Sequence, residues 1–292
     1  LLKKAGVKIV TVLDVGVVRA VFERLDLRNH RKIVVIDGEI GYAGSQNLAD
    51  PRLFKQDEDV GEWVDAMARM TGPAVEALQL TLLGDWEFET FEGVEHMGEQ
   101  LDLRRNRPTG DAVVQVVPSG PGLPQSAIQE LILTAIYGAQ RELVLTTPYF
   151  IPDDAMMKAL VSASGRGVDV TLVVPFKPDG HLVKLASQAY FEELLEQGIK
   201  IAQYRGGLLH TKAITVDGEV AMFGSVNLDM RSFYLNFEVS LLVYSGAFTG
   251  DVRALQDRYL KSSRLLTLEG WRARPMLLKL LQQLAQLLSP LL

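Results

Sequence analysis

The sequence predicts an α/β protein made of two like-folded halves, each a mixed sheet flanked by helices. The first observation behind this is an internal repeat. Residues 30–50 (HRKIVVIDGEIGYAGSQNLAD) and 210–230 (HTKAITVDGEVAMFGSVNLDM) align at a constant offset of 180 without a gap, and nine of 21 positions are identical. Matching at that density marks two copies of one structural unit. The second observation is the alternation of short apolar, β-branched runs with longer stretches of helical periodicity, the pattern of a sheet covered by helices.

Taken in order, the chain opens on Leu1-Leu2-Lys3-Lys4-Ala5-Gly6 and then Val7-Lys8-Ile9-Val10, which predicts the end of a helix, a glycine stop and a strand. In each copy of the repeat a β-rich run (33–36, 213–216) leads into an Asp-Gly pair. A second apolar run then ends at Gly44-Ser45 or Gly224-Ser225. Asp-Gly between two such runs predicts a tight hairpin. Buried strands are predicted at 143–147 and 168–174, and helices at 126–140, 153–164 and 182–197. Seven acids with no basic residue between Asp85 and Asp102 read as a solvated face. Arg104-Arg105-Asn106-Arg107-Pro108-Thr109-Gly110 reads as a loop and sets the expected boundary between a first lobe, 1–108, and a second, 109–270.

The opening segment resembles Leu194-Leu195…Gly198-Ile199-Lys200-Ile201 of the second half, where strands and helices from Ala112 onward come before it. The first half has no counterpart to them, so the first lobe is expected to be N-terminally incomplete by roughly 80 residues. Residues 271–292 (WRARPMLLKLLQQLAQLLSPLL) form a third segment. Leu277, Leu280, Leu281, Leu284, Leu287, Leu288 and Leu291 recur there at three- and four-residue steps, one stripe of an amphipathic helix.

Composition narrows the classes. There is no cysteine, which excludes disulfides, thiolate metal sites and a cysteine nucleophile. Thirty basic against 36 acidic residues give a net charge of −6, which argues against a nucleic-acid partner. The charge is uneven: residues 253–292 carry seven basic residues and two acids. No 18-residue stretch is continuously apolar, so no membrane span is predicted.

Each copy of the repeat offers His-x-Lys-x4-Asp-x6-Gly-Ser-x-Asn. Residues two apart on a strand share a face, so His30 and Lys32 project together, as do His210 and Lys212. An ammonium beside an imidazole repels a metal ion and attracts an anion, so no metal or other cofactor is expected. Lysine binds phosphate as a point charge. The amides of Asn47 and Asn227 can donate to the same oxygens, with the hydroxyls of Ser45 and Ser225 in support. Two such half-sites around one phosphate suit phosphodiester chemistry: one imidazole attacks phosphorus, and the other moves the protons. Asp37 and Asp217 sit at the hairpin turns, where a structural role competes with a catalytic one. The other two histidines, His96 and His181, read as ordinary ones.

The duplicated motif resembles the HKD motif of the phospholipase D superfamily, and the chain is similar, more narrowly, to bacterial cardiolipin synthases. The matching stretches are 28–51, 63–90, 115–122 (QVVPSGPG), 146–153 (TTPYFIPD) and 207–239. The resemblance implies two pseudo-symmetric lobes with the active site at their interface. It makes His30, Lys32, Asp37, His210, Lys212 and Asp217 the catalytic set and Asn47 and Asn227 phosphate ligands. It also implies a phosphatidyltransferase that joins two phosphatidylglycerol molecules into cardiolipin through a phosphohistidine, with His30 the expected nucleophile. Phosphatidylglycerol, other anionic phospholipids and the bacterial inner membrane are then the partners, with the lobes on the cytoplasmic side and this chain peripheral. A buried acid orients each imidazole in that superfamily. Glu238 follows His210 by 28 residues, and aligning Gly72…Ala77-Leu78 with Gly250…Ala254-Leu255 puts Asp65 at the corresponding place in the first half. A hydrolase or nuclease of the same superfamily, or an inactive lipid-binding module, is the alternative. The basic, leucine-striped tail is expected to lie in the membrane interface with Trp271 as an interfacial aromatic; packing of its leucines onto the protein is the competing reading.

Overall fold

The structure, a computed structural model, describes residues 2–12, 27–50, 52, 61–90, 105–124 and 126–289. In the first lobe β1 (Ile33–Ile36) and β2 (Ile40–Gly44) form the predicted hairpin. A short β3 (Trp63–Val64) then leads to β4 (Met67–Thr71), which pairs antiparallel with β2, and α1 (Ala74–Thr90) follows. The hairpin turns of both repeats hold Asp and Gly at positive φ (Asp37 51°, Gly38 67°; Asp217 55°, Gly218 73°). A type I′ turn needs this at both central residues.

The second lobe begins with β5 (Val113–Ser119) and α2 (Ala127–Gly138), then β6 (Glu142–Thr146), β7 (Phe150–Ile151), α3 (Asp154–Gly165) and β8 (Asp169–Pro175). Next come α4 (His181–Ala189), α5 (Phe191–Glu196), β9 (Lys200–Tyr204) and β10 (Leu208–Leu209). The second repeat supplies β11 (Lys212–Val216), β12 (Val220–Gly224), β13 (Leu228–Asp229), α6 (Met230–Tyr234) and β14 (Glu238–Tyr244). The chain closes with α7 (Gly246–Lys261), β15 (Ser263–Leu265), α8 (Leu268–Arg272) and α9 (Met276–Gln286).

Eight strands form one mixed sheet in the order β15-β9-β8-β6-β11-β12-β14-β5. Its segment β11-β12-β14 repeats β1-β2-β4 strand for strand. Gly44 faces Met67 and Gly224 faces Ser240, so Asp65 and Glu238 occupy equivalent places two residues earlier.

The two sheets meet through small side chains, Ala43 and Ala68 against Ala213 and Ala221, with Leu78, Phe223 and Val239 filling the space around them. A larger core joins the eight-stranded sheet to its helices through Ile132, Leu145, Phe150, Leu160 and Leu172. Repeat positions differ in cover. Ile214 and Val216 belong to that core, whereas their counterparts Val34 and Ile36 are 48% and 44% exposed, and among the described residues no strand pairs with the outer edge of β1.

Three expectations need correction. Residues 7–12 form no strand; after a 3-10 turn at Lys3–Ala5 they find no pairing partner among the described residues, and a lone extended run has nothing to hold it. The helix expected over 182–197 breaks at Tyr190, whose ring packs edge-on to Phe150 and whose hydroxyl bonds Ser289. Trp271 is no interfacial aromatic: it is buried against Phe191 with Arg274 stacked over it.

α9 does not divide by polarity alone: Leu278 is half-buried and Gln283 is exposed. Gln282 and Ala285 are buried, and Gln282 donates to Gln188 of α4, while Leu277, Leu280, Leu281, Leu284, Leu287 and Leu288 all face outward. Leu291 lies outside the described residues. Among the described residues no helix is long and apolar enough to cross a membrane.

Asp217 anchors the repeat hairpin to the neighbouring strand. Its carboxylate accepts from the backbone N–H of Gln140, Arg141 and Glu142 at 2.9, 2.7 and 2.9 Å. Burial opposes its charge, but these donors and Arg141 outweigh burial and hold the carboxyl below its ordinary 3.8. A depressed carboxyl stabilises the fold fully above the unfolded value and loses that contribution as pH falls through the folded one. Asp217→Ala should therefore cost about 1–3 kcal/mol in urea unfolding at pH 7, with the deficit against the unaltered chain shrinking below about pH 4.

Candidate active site

Backbone pairing between the lobes builds the site. The residues before each histidine run parallel to those before the other lobe's acid: Leu208-Leu209 beside Trp63-Val64, and Asn29 beside Phe237. The N–H of His30 donates to Phe237 O at 2.8 Å and that of His210 to Val64 O at 2.9 Å. Phe237 and Val64 immediately precede Glu238 and Asp65, so each acid arrives at the histidine of the other lobe. His30 Nδ1 lies 3.1 Å from Glu238 Oε1, and His210 Nδ1 lies 2.7 Å from Asp65 Oδ1. Position in the repeat pairs Glu238 with His210 and Asp65 with His30; the structure exchanges the partners.

A carboxylate on Nδ1 takes that nitrogen's hydrogen and leaves Nε2 with its lone pair, the tautomer a nucleophile or base needs. Burial, and then the Lys212 charge, push the His210 imidazolium down to about 4, so the ring is neutral at working pH. Burial opposes ionisation of Asp65, but bonds from His210 and Ser45 and the charge of Lys212 outweigh it and keep the carboxylate ionised. Lys212 is pushed down to about 7 by burial and then by Lys32, and Lys32 is lowered by burial. Lys32 also acts on His210, so both His-x-Lys pairs converge on one place. Each ammonium donates to its own histidine's carbonyl, Lys32 at 2.6 Å and Lys212 at 2.7 Å. An anion between them would draw both away and raise both pKa values.

The remaining predicted residues divide. Asn227 is buried, and its Oδ1 makes no hydrogen bond; Asn47 occupies the matching place, half-buried. Ser45 and Ser225 are latches: their hydroxyls accept the N–H of Ala66 (3.0 Å) and Val239 (2.9 Å), next to the two acids. A Cβ on Gly44 or Gly224 would come within 2.3 Å of Ala66 O or 2.2 Å of Val239 O, so only glycine permits this approach. Asp37 and Asp217 sit at the hairpin ends, away from Lys32 and Lys212. His181 is exposed at the start of α4, and His96 lies outside the described residues. Among the described residues no cluster of three or more His, Asp or Glu could hold a metal ion.

Sequence reasoning missed three groups. Arg31 clasps the lobes: its guanidinium donates to Glu238 O and Ser119 O, both at 3.0 Å, and pairs with Asp85. Asp85 thus belongs to an inter-lobe contact rather than a solvated face, and burial shifts its pKa upward. Glu92, Glu95, Glu99 and Asp102 of that acidic run lie outside the described residues. Trp63 stacks on His210, ring centroids 4.4 Å apart, and Asn236 Nδ2 donates to Glu238 and lies 3.4 Å from His30 Nδ1. Ser232 also donates to Glu238, at 3.2 Å. The alignment of Asp65 with Glu238 places Trp63 opposite Asn236, a signal available in the sequence.

Two like-folded lobes that bring both His-x-Lys pairs together match the arrangement that the resemblance to the phospholipase D superfamily implied. A family model described as "Cardiolipin synthase, PLD-like domain" matches residues 132–259. Cardiolipin synthase A of Citrobacter koseri and that of Pectobacterium atrosepticum are each 44% identical over all 292 residues. The chain is thus similar to bacterial cardiolipin synthases. The chain spans 60% of the length of these curated relatives. Among solved structures, the phosphatidylserine synthase of Haemophilus influenzae shares the fold with a TM-score of 0.68 at 15% identity, covering 91% of this chain and 72% of that one.

The crossed pairing makes a specific expectation. Asp65→Asn presents an amide donor to His210 Nδ1 and forces the opposite tautomer. It should lower kcat for phosphodiester turnover by about 10²–10⁴ while the melting temperature stays put; unchanged kcat would show that Asp65 does not set the ring.

Proposed function

We propose that the chain is the catalytic part of a cardiolipin synthase that transfers a phosphatidyl group from one phosphatidylglycerol to another. The observation that carries this reading is the convergence of two imidazoles and two lysines on one site, each imidazole held by the other lobe's carboxylate. His30 Nε2 attacks phosphorus, the bond to the headgroup glycerol breaks, and His210 gives its proton to the departing oxygen. His210 then takes the proton from the hydroxyl of the second phosphatidylglycerol; that oxygen attacks phosphorus, the P–N bond breaks, and cardiolipin leaves. His210 gains the proton it needs when the bound phosphate offsets the charge of Lys212 that suppresses its basicity. Lys32, Lys212, Asn47 and Asn227 stabilise the non-bridging oxygens. The relatives' name and the acidic charge balance support a phospholipid rather than a nucleic-acid substrate.

Supplying phosphatidylglycerol with excess chelator should yield cardiolipin and free glycerol. Either His30→Ala or His210→Ala should abolish net synthesis, and acid quenching with labelled lipid should leave label on His30. Phosphatidic acid as the sole product would make the chain a hydrolase, and label on neither histidine would remove the covalent route.

The chain is further proposed to sit on the inner membrane through α9. Its leucines face outward, whereas Arg272 is tied to Glu192 and Glu196 and Lys279 lies 3.8 Å from Glu192, so apolar area rather than charge provides the attachment. The triple change Leu277→Gln, Leu280→Gln, Leu284→Gln should weaken partitioning onto phosphatidylglycerol vesicles by about tenfold or more, with the melting temperature unchanged. Unaltered partitioning, or loss of fold, would show that the leucine face serves the protein instead.

A further inference from the structure

The two half-sites repeat one device and fill it differently. In each, the acid and the residue two positions before it address the same ring of the other lobe. Beside His30 they are Glu238 and Asn236, with Glu238 Oε1 at 3.1 Å and Asn236 Nδ2 at 3.4 Å from Nδ1. Beside His210 they are Asp65 and Trp63. Asp65 Oδ1 lies 2.7 Å from Nδ1, and the indole packs on the imidazole with ring centroids 4.4 Å apart and planes tilted by 49°. Backbone fixes the indole there. Trp63 pairs with Leu208, and on either side of it Glu62 O accepts the N–H of Leu208 and Val64 O that of His210, both at 2.9 Å. A Cβ on Gly207 would come within 2.4 Å of Glu62 O, so this approach needs glycine.

His210 is the ring that must carry a proton while enclosed. It is only 7% exposed, so little water can solvate its cation. The charged groups facing it are Asp65 on the segment after β3, Lys212 on β11 and Lys32 from the other half-site. Both ammonium groups oppose an imidazolium, as burial does, and among these groups only Asp65 favours it. A bound phosphate offsets the lysines but restores no solvation. An indole makes up that part, because a cation within about 6 Å of its centroid is drawn to the π cloud, most strongly where water is excluded. A leucine in its place would keep water out and give the cation nothing. Asn236 presents no π cloud to His30, which suits a ring that attacks through a lone pair.

We propose that Trp63 is a positioning residue that acts through His210, stabilising its imidazolium and so giving that ring the proton work while attack falls to His30. The proposal rests on the phosphatidyltransferase reading above and adds the residue that makes two like rings unlike. As the P–O bond to the headgroup breaks, the proton on His210 Nε2 passes to the departing oxygen. In the second step the same nitrogen takes a proton from the acceptor hydroxyl as that oxygen bonds phosphorus and the P–N bond breaks. The indole favours the protonated ring at the start of the first transfer and at the end of the second.

The test compares two donors that differ in the leaving group: phosphatidylglycerol, whose alkoxide needs a proton, and phosphatidyl-p-nitrophenol, whose phenolate leaves without one. Both are read as kcat/KM, which reports the steps through release of that group. Trp63→Leu should lower the ratio of phosphatidylglycerol to nitrophenyl turnover by about tenfold. It should also move the basic limb of kcat on phosphatidylglycerol by about 0.5–1 unit toward lower pH, because a less stable imidazolium loses its proton earlier. Trp63→Phe keeps an aromatic ring and should recover much of both. The ratio is taken on one sample, so any loss of folded protein cancels. An unmoved ratio or limb in Trp63→Leu, no recovery in Trp63→Phe, or label on His210 after acid quenching would overturn the role of Trp63 while the transferase reading stands. Phosphatidic acid in place of cardiolipin would instead overturn the transferase reading, and the ratio would still decide on Trp63. If the unaltered chain turns over neither donor, both fall.

Discussion

The parallel pairing of each histidine's approach strand with the other lobe's acid-bearing segment is the constraint on which the site depends. Once Leu209 lies beside Val64 and Asn29 beside Phe237, the carboxylates can only reach across. The rest of the interface serves that registration. Small residues let the sheets approach, Gly44 and Gly224 admit the neighbouring backbone, Ser45 and Ser225 lock the acid strands, and Arg31 ties Glu238's carbonyl to α1 through Asp85. The electrostatics follow from the same closure. Burying two lysines together lowers the pKa of each, and an anion between them would raise both.

Much of this was legible in the chain because the repeat separates cause from drift. Seven of the nine identities sort by physics: His, Lys and Asn for the proposed phosphate site, Asp and Gly for a turn that needs positive φ, Gly and Ser for the latch. The alignment also located Asp65 and Glu238. It could not show which acid serves which ring, because that is fixed by pairing between segments far apart in sequence, and periodicity carries no information about such contacts. Arg31 and Asp85 escaped for a related reason: a charged residue reads as solvated until a partner is known to be near.

The tail shows the opposite limit. Leucine spacing gave the helix and its stripe, yet spacing is silent on which side meets the protein. The structure turns Gln282 inward, where it finds Gln188, and the small Ala285 fits close against α4, which leaves most of the leucines to other company. Trp271 goes the other way. Its neighbours in sequence are polar, but Phe191 and Arg274 enclose it.

The substitution of Asn236 for Trp63 at equivalent positions has a further meaning. Two half-sites with identical parts would be indifferent to which end of the cleft a lipid enters. An indole against one ring and an amide against the other remove that indifference. The cleft therefore has a polarity of its own, with a dry end at His210 and a wetter end at His30, whose side chain is 33% exposed. Permuting the halves of such a chain would preserve its architecture and reverse its handedness toward substrate.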